Sequence, residues 1–72
     1  MKPLTPHQRQ VMQYVVEGHT NEQIGELLHI KAQTVKNILT STYAKLGASN
    51  RAHAAALFTR YGGRHIERAK DV

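Results

Sequence analysis

Residues Thr20–Leu46, TNEQIGELLHIKAQTVKNILTSTYAKL, hold two helical patterns joined by the short turn His29-Ile30-Lys31. The first pattern puts Ile24, Leu27 and Leu28 on one stripe for burial. The second runs from about Ala32 to Leu46 and has two incompatible faces. Val35, Ile38, Leu39 and Leu46 form an apolar face. Gln33, Lys36, Asn37, Thr40, Ser41 and Ala44 form a stripe of amides, hydroxyls and one cation at helical spacing. Two short helices joined by so tight a turn predict a helix-turn-helix, whose second helix lies in the major groove of DNA. An ordinary helical hairpin in a small bundle has the same spacing. Composition separates the two readings. A bundle helix usually covers its exposed face with Glu/Lys pairs, whereas this one carries no acid between Gln33 and Leu46. A carboxylate in a phosphate-lined groove meets repulsion, while amides and hydroxyls there can read base edges by hydrogen-bond pattern.

Punctuation on either side predicts a helix before this pair and another after it, giving an all-α fold of four helices. The first opens at Leu4-Thr5-Pro6-His7-Gln8, with Thr5 as N-cap, Pro6 at the first helical position and Gln8 closing a capping box. Its apolar face is Val11, Met12, Val15 and Val16, with Tyr14 at the margin and Gly18 as a left-handed stop. Thr20 and Gln23 repeat the capping box for the second helix, and Glu22 complements its dipole. Gly25 costs that helix about 0.8–1 kcal/mol against alanine, which implies a close approach by the following helix. Lys31 is a poor N-cap, so the third helix frays at its start or takes its cap from Gln33 or a phosphate. Gly47 ends it, Ala48-Ser49-Asn50 offers a cap for a fourth helix over about 51–61, and Gly62-Gly63 stops that helix. A charge-alternating tail follows, expected to be solvated, disordered or a frayed helical extension. Ala54, Ala55, Phe58 and Tyr61 share one face of the fourth helix; Ala52, His53, Ala56, Leu57 and Arg60 share the other. The expected organisation is one domain over residues 1–63 and a charged tail over 64–72, without repeats or linkers.

Ten Lys and Arg against five Asp and Glu give a formal net charge of +5 and a pI near 10.0. Such a chain is drawn to polyanions, nucleic acid first and anionic membrane second. The membrane reading is the poorer, because no helix pairs a Lys/Arg-rich face with a bulky aromatic one. No apolar run could span a bilayer and MKPLTPHQ has no signal-peptide apolar region. Absence of cysteine removes disulfides and thiolate metal sites and suits a reducing cytoplasm. The sparse glycines write no phosphate-cradling loop. Histidines at 7, 19, 29, 53 and 65 lack zinc-site spacing, and surface or capping roles are expected of them. Five scattered acids supply no convergent general acid–base pocket. No enzyme activity, cofactor or metal is expected.

Leu4-Thr5-Pro6, the run Gly18-His19-Thr20-Asn21-Glu22-Gln23-Ile24, Thr34-Val35-Lys36-Asn37, Lys45-Leu46-Gly47 and Asn50-Arg51 together resemble the LuxR-type (GerE- or NarL-type) DNA-binding domain, over roughly Leu4 to Gly62. The resemblance implies a four-helix fold whose third helix reads double-stranded DNA and whose fourth pairs two copies on a two-fold site. Carried onto this sequence, Lys36, Asn37 and Thr40 match base-contacting positions. Lys36 can donate to guanine N7 and O6, Asn37 can pair with adenine through two bonds, and Thr40 can accept, donate or touch a thymine methyl. Thr20, Asn21, Lys31, Gln33, Thr34, Lys45 and Arg51 are expected at phosphates, which position the protein without specifying sequence. Ser49, Ala52, His53, Ala56, Leu57 and Arg60 form the expected homodimer face, small enough that pairing can require DNA. Departures from the family pattern are concentrated in three places. His7–Gln10 contains no acid, so a salt bridge from there to Arg51 is absent and Arg51 is expected to be freer for phosphate. Lys31 replaces the usual Ser or Thr cap. Ile38 and Thr42 stand where His and Ile are common, an apolar group moved by one turn of the same helix.

The reading is a LuxR-type transcriptional regulator reduced to its DNA-binding domain, since that domain starts almost at Met1. A standalone regulator would follow its own abundance or a protein partner; an excised domain would be controlled from the missing part. Two rivals remain. One is a small interaction module that pairs with and modulates a larger regulator, with little DNA binding of its own. The other is a non-specific nucleic-acid binder driven by net charge.

Overall fold

α1 (Pro6–Val16) and α2 (Asn21–Leu28) start with the same device. Thr5 and Thr20 each accept the backbone N–H of the residue three positions on at 3.1 Å, and Gln8 and Gln23 each accept the cap residue's own N–H at 2.9 Å. Two otherwise orphaned donors are thereby satisfied at each helix start. A computed structural model describes residues 3–62 of the chain, and α3 (Ala32–Leu46) and α4 (Arg51–Leu57) follow in order, with a π-helical turn over Phe58–Gly62. The described residues form no strand. None of the helices among them is long and apolar enough to cross a membrane.

α1, α2 and α3 end alike, with one residue in the left-handed conformation and a closure six residues long: His19 N–H to Tyr14 carbonyl at 3.1 Å, Ile30 N–H to Gly25 carbonyl at 2.8 Å, Ala48 N–H to Tyr43 carbonyl at 2.9 Å. Glycine takes the left-handed position at Gly18 and Gly47, but after α2 it falls to His29 (φ 62°, ψ 42°). At Gly25 the requirement is space. A Cβ there would lie 2.5 Å from the carbonyl oxygen of Ile30 and 3.4 Å from the backbone nitrogen of Ala32. The close neighbour inferred for Gly25 is therefore the turn and the first residue of α3, so α2 and α3 approach closely there.

The core gathers Leu4, Val11, Met12, Val15, Ile24, Val35, Leu39, Leu46, Ala54 and Phe58 from all four helices and the segments flanking them. Several sequence expectations are corrected here. Leu27 is 48 % exposed, because contact through Gly25 turns the inner face of α2 towards Ile24, Gly25 and Leu28. Val16 is 40 % exposed at the end of α1, beside Ala55 and Ala56. Thr42 is fully buried, and its hydroxyl donates to the Ile38 carbonyl at 2.7 Å. The i−4 bond satisfies a polar group in an apolar surrounding, while Ile38 packs half-buried against the core. The regular part of α4 stops at Leu57, short of the expected 61, and widens into the π-helical turn. Gly62 within one turn of the end lacks the propensity to hold α geometry. The side chain of Tyr61, Gly63, His65 and the expected tail over 64–72 lie outside the described residues.

Candidate nucleic-acid interface

The two faces of α3 separate cleanly. Val35, Leu39, Thr42 and Leu46 are buried, while Gln33, Lys36, Asn37, Thr40, Ser41 and Ala44 are all exposed. This second set points away from the core, while α2 packs against α3. Two hydrogen bonds order the stripe. Gln33 Nε2 donates to Asn37 Oδ1 at 3.1 Å, and Thr40 Oγ1 donates to the Lys36 carbonyl at 3.0 Å. Lys36 projects from the middle of the stripe.

The start of α3 is bare. Lys31 occupies the N-cap position with extended backbone and makes no capping bond. Gln33 provides no cap either, because its amide is turned forward to Asn37. The start of α3 therefore carries no side-chain cap, and Lys31 and Thr34 beside it are both exposed; uncapped N–H groups and the helix dipole at such an end favour an anion.

A second group forms where α4 meets α2. Arg51 Nη1 donates to Asn21 Oδ1 at 2.8 Å and Arg51 Nη2 to the His19 carbonyl at 2.6 Å, directly beside Thr20. Arg51 is thus not the freer residue expected from the lack of acid in α1. An amide and a carbonyl take the place of a carboxylate and hold the guanidinium across the first turn of α2. The bonds leave donors of Arg51 and the Asn21 amide nitrogen for other acceptors. Lys45 is also engaged, donating to Gln8 Oε1 at 3.1 Å and to the Pro3 carbonyl at 3.4 Å. Gln8, known from sequence only as a capping residue, therefore serves two donors, and the turn of α1 onto α3 is what brings them together.

Of the expected dimer-face residues, Ser49, Ala52, His53, Ala56 and Arg60 are exposed and Leu57 is half-buried. Asn50 caps α4 by accepting the His53 N–H at 2.8 Å, and His53 Nδ1 accepts the Ser49 N–H at 3.0 Å in return. His53 is thus a capping histidine. His19 packs edge-on to Tyr14 with centroids 5.4 Å apart and lies 3.5 Å from Glu17; His29 makes the turn and His7 is exposed. No group of three metal-ligating side chains occurs among the described residues. A shallow cleft between α1 and α3, lined by Thr5, His7, Gln8, Thr34, Asn37 and Ser41, runs alongside the stripe.

A tight helix-turn-helix with an acid-free polar stripe on its second helix defines the class of helix-turn-helix nucleic-acid-binding domains. The family model for bacterial regulatory proteins of the luxR family matches residues 2–58, and the chain belongs to that family. It is similar to the transcriptional activator protein BjaR1 of Bradyrhizobium diazoefficiens, 43 % identical over 58 residues, covering 81 % of this chain and 24 % of that protein. It is also similar to the transcriptional regulatory protein LiaR of Bacillus subtilis, 40 % identical over 52 residues, covering 72 % of this chain and 25 % of that protein. The chain thus spans about a quarter of the length of these relatives. No solved structure matches at comparable significance.

Proposed function

We propose that the chain is a sequence-specific DNA-binding domain of a transcription regulator, with α3 in the major groove and Lys36, Asn37 and Thr40 at base edges. The observation that carries this reading is the stripe on α3, polar, acid-free and exposed along its whole length, on a helix whose opposite face is buried. Membership of the luxR family supports it. Phosphates would be held at two places: the bare start of α3, by Lys31 and Thr34, and the first turn of α2, by Thr20, Asn21 and Arg51. Gln33 and Lys45, expected at phosphates, are both turned to intramolecular partners. Two copies would pair through the Ser49, Ala52, His53, Ala56, Leu57 and Arg60 face on a two-fold DNA site, where small side chains allow α4 helices to approach closely. The domain is assigned residues 1–63.

Selection from a random duplex pool at several salt concentrations, repeated with Lys36→Ala, tests the reading. A motif with two-fold symmetry is expected, and the variant should lose about 1–3 kcal/mol of discrimination at one base pair. Binding without a motif but with a steep salt dependence would make the chain a charge-driven binder. No binding near physiological salt would leave the interaction-module reading in its place.

A further inference from the structure

We propose that Gln33 decides which base Asn37 reads, by holding the Asn37 carbonyl back along the helix so that its amide nitrogen faces the groove. The inference rests on the DNA-reading role given to α3 above. Asparagine has two modes at a base edge. With both ends of the amide free it pairs with adenine, accepting from N6 and donating to N7; with only the nitrogen presented it donates to guanine O6 or N7 or to thymine O4. In this chain Asn37 Oδ1 already accepts from Gln33 Nε2 at 3.1 Å, one turn back on the same exposed face. The i,i+4 pair is a favourable one on a helix surface, and the negative potential of a phosphate-lined groove favours the same orientation, nitrogen outward. The neighbouring hydroxyl adds a complementary feature. Thr40 donates its proton to the Lys36 carbonyl at 3.0 Å, so it offers the groove a lone pair and a methyl and no donor. The head therefore presents donors from Lys36 and Asn37, then an acceptor and a methyl from Thr40. Gln33 is a positioning residue: it acts through Asn37.

The test is duplex selection with the full chain as wild type, Asn37→Ala, Gln33→Met and Gln33→Lys. Asn37→Ala identifies the base pair that Asn37 reads, as the position whose preference it erases. Wild type should prefer guanine or thymine there. Gln33→Met keeps the bulk of the side chain but removes the donor, and the preference should move towards adenine by about fivefold or more. Gln33→Lys restores a donor within reach of Oδ1 and should restore the guanine or thymine preference. A role for Gln33 in helix stability alone would weaken all positions together, whereas the shift expected is confined to one base pair. Adenine preferred by the wild type at that position, or a preference that Gln33→Met leaves unmoved, overturns the inference while the DNA-reading role stands. A wild type that enriches no motif overturns both.

Discussion

His29 shows how one side chain carries a conformational cost for a tight turn. It is the single non-glycine residue with positive φ among those described, and it ends α2 where Gly18 and Gly47 end the neighbouring helices. The left-handed conformation costs an L-residue roughly 1–2 kcal/mol, partly offset in any comparison with glycine by glycine's extra backbone entropy of about 0.5–1 kcal/mol. His29→Gly should therefore stabilise the fold by about 0.5–1 kcal/mol, read from the midpoint of urea unfolding; a lower midpoint would show that the imidazole makes a contribution of its own. Thr42 illustrates what a single-residue pattern hides. Read as a substitution of an apolar position, it looks like a loss of core. Its hydroxyl closes on the Ile38 carbonyl, so the polar group is satisfied within the helix and its methyl is left to meet the apolar interior. Nothing in residue type announces that bond; burial and helix geometry do.

Helix starts were legible in the sequence because their signals are local. Thr5 with Gln8, Thr20 with Gln23 and Asn50 with His53 satisfy backbone donors within three residues, and Lys31 is the uncapped exception expected. Which face each helix turns inward was less legible. Leu27 and Leu28 are adjacent apolar residues, and the closeness of α3 at Gly25 decides between them. Gly25→Ala should cost about 1–3 kcal/mol despite alanine's better helix propensity, since the new Cβ meets the unyielding Ile30 carbonyl at 2.5 Å. Opening the α2–α3 angle should also weaken DNA binding more than the stability loss explains; a variant with full affinity per folded molecule would show that the angle tolerates change. At the other end of α2, the Arg51 fork holds Asn21 and the His19 carbonyl together. Arg51→Lys keeps the charge but not the fork, and should destabilise the domain by about 1–2 kcal/mol in thermal or denaturant unfolding. An unchanged midpoint would mean that water replaces the fork without loss.

The whole molecule sorts its cations by what already holds them. Net charge of +5 treats every lysine alike, yet Lys31 stands exposed without a capping bond while Lys45 is drawn onto Gln8 and Pro3. Each phosphate neutralised contributes about 0.9 to the slope of log affinity against log salt. Lys31→Ala should lower that slope by about one, and Lys45→Ala by clearly less while reducing stability. Equal slopes for the two variants would show that Lys45 leaves its internal partners on binding DNA. The distinction matters for the proposed interface as a whole, because it would place the phosphate anchors on the first turns of α2 and α3 and not at the far end of α3.

The helix-turn-helix itself, its four-helix setting and the exposed stripe of α3 follow from local and periodic features of the chain: caps within three residues, apolar spacing of a helix, and the lack of acid from Gln33 to Leu46. Those features need no knowledge of what packs where. The partners of Arg51 and Lys45 do need it. Arg51 reaches Asn21 across 30 positions and Lys45 reaches Gln8 across 37, and no local pattern encodes contacts between residues so far apart. They arise when the core brings the starts of α2 and α4, and those of α1 and the end of α3, into register. The burial of Thr42 and the exposure of Leu27 belong with them, because a helix's periodicity defines its faces but its neighbours choose which face is covered.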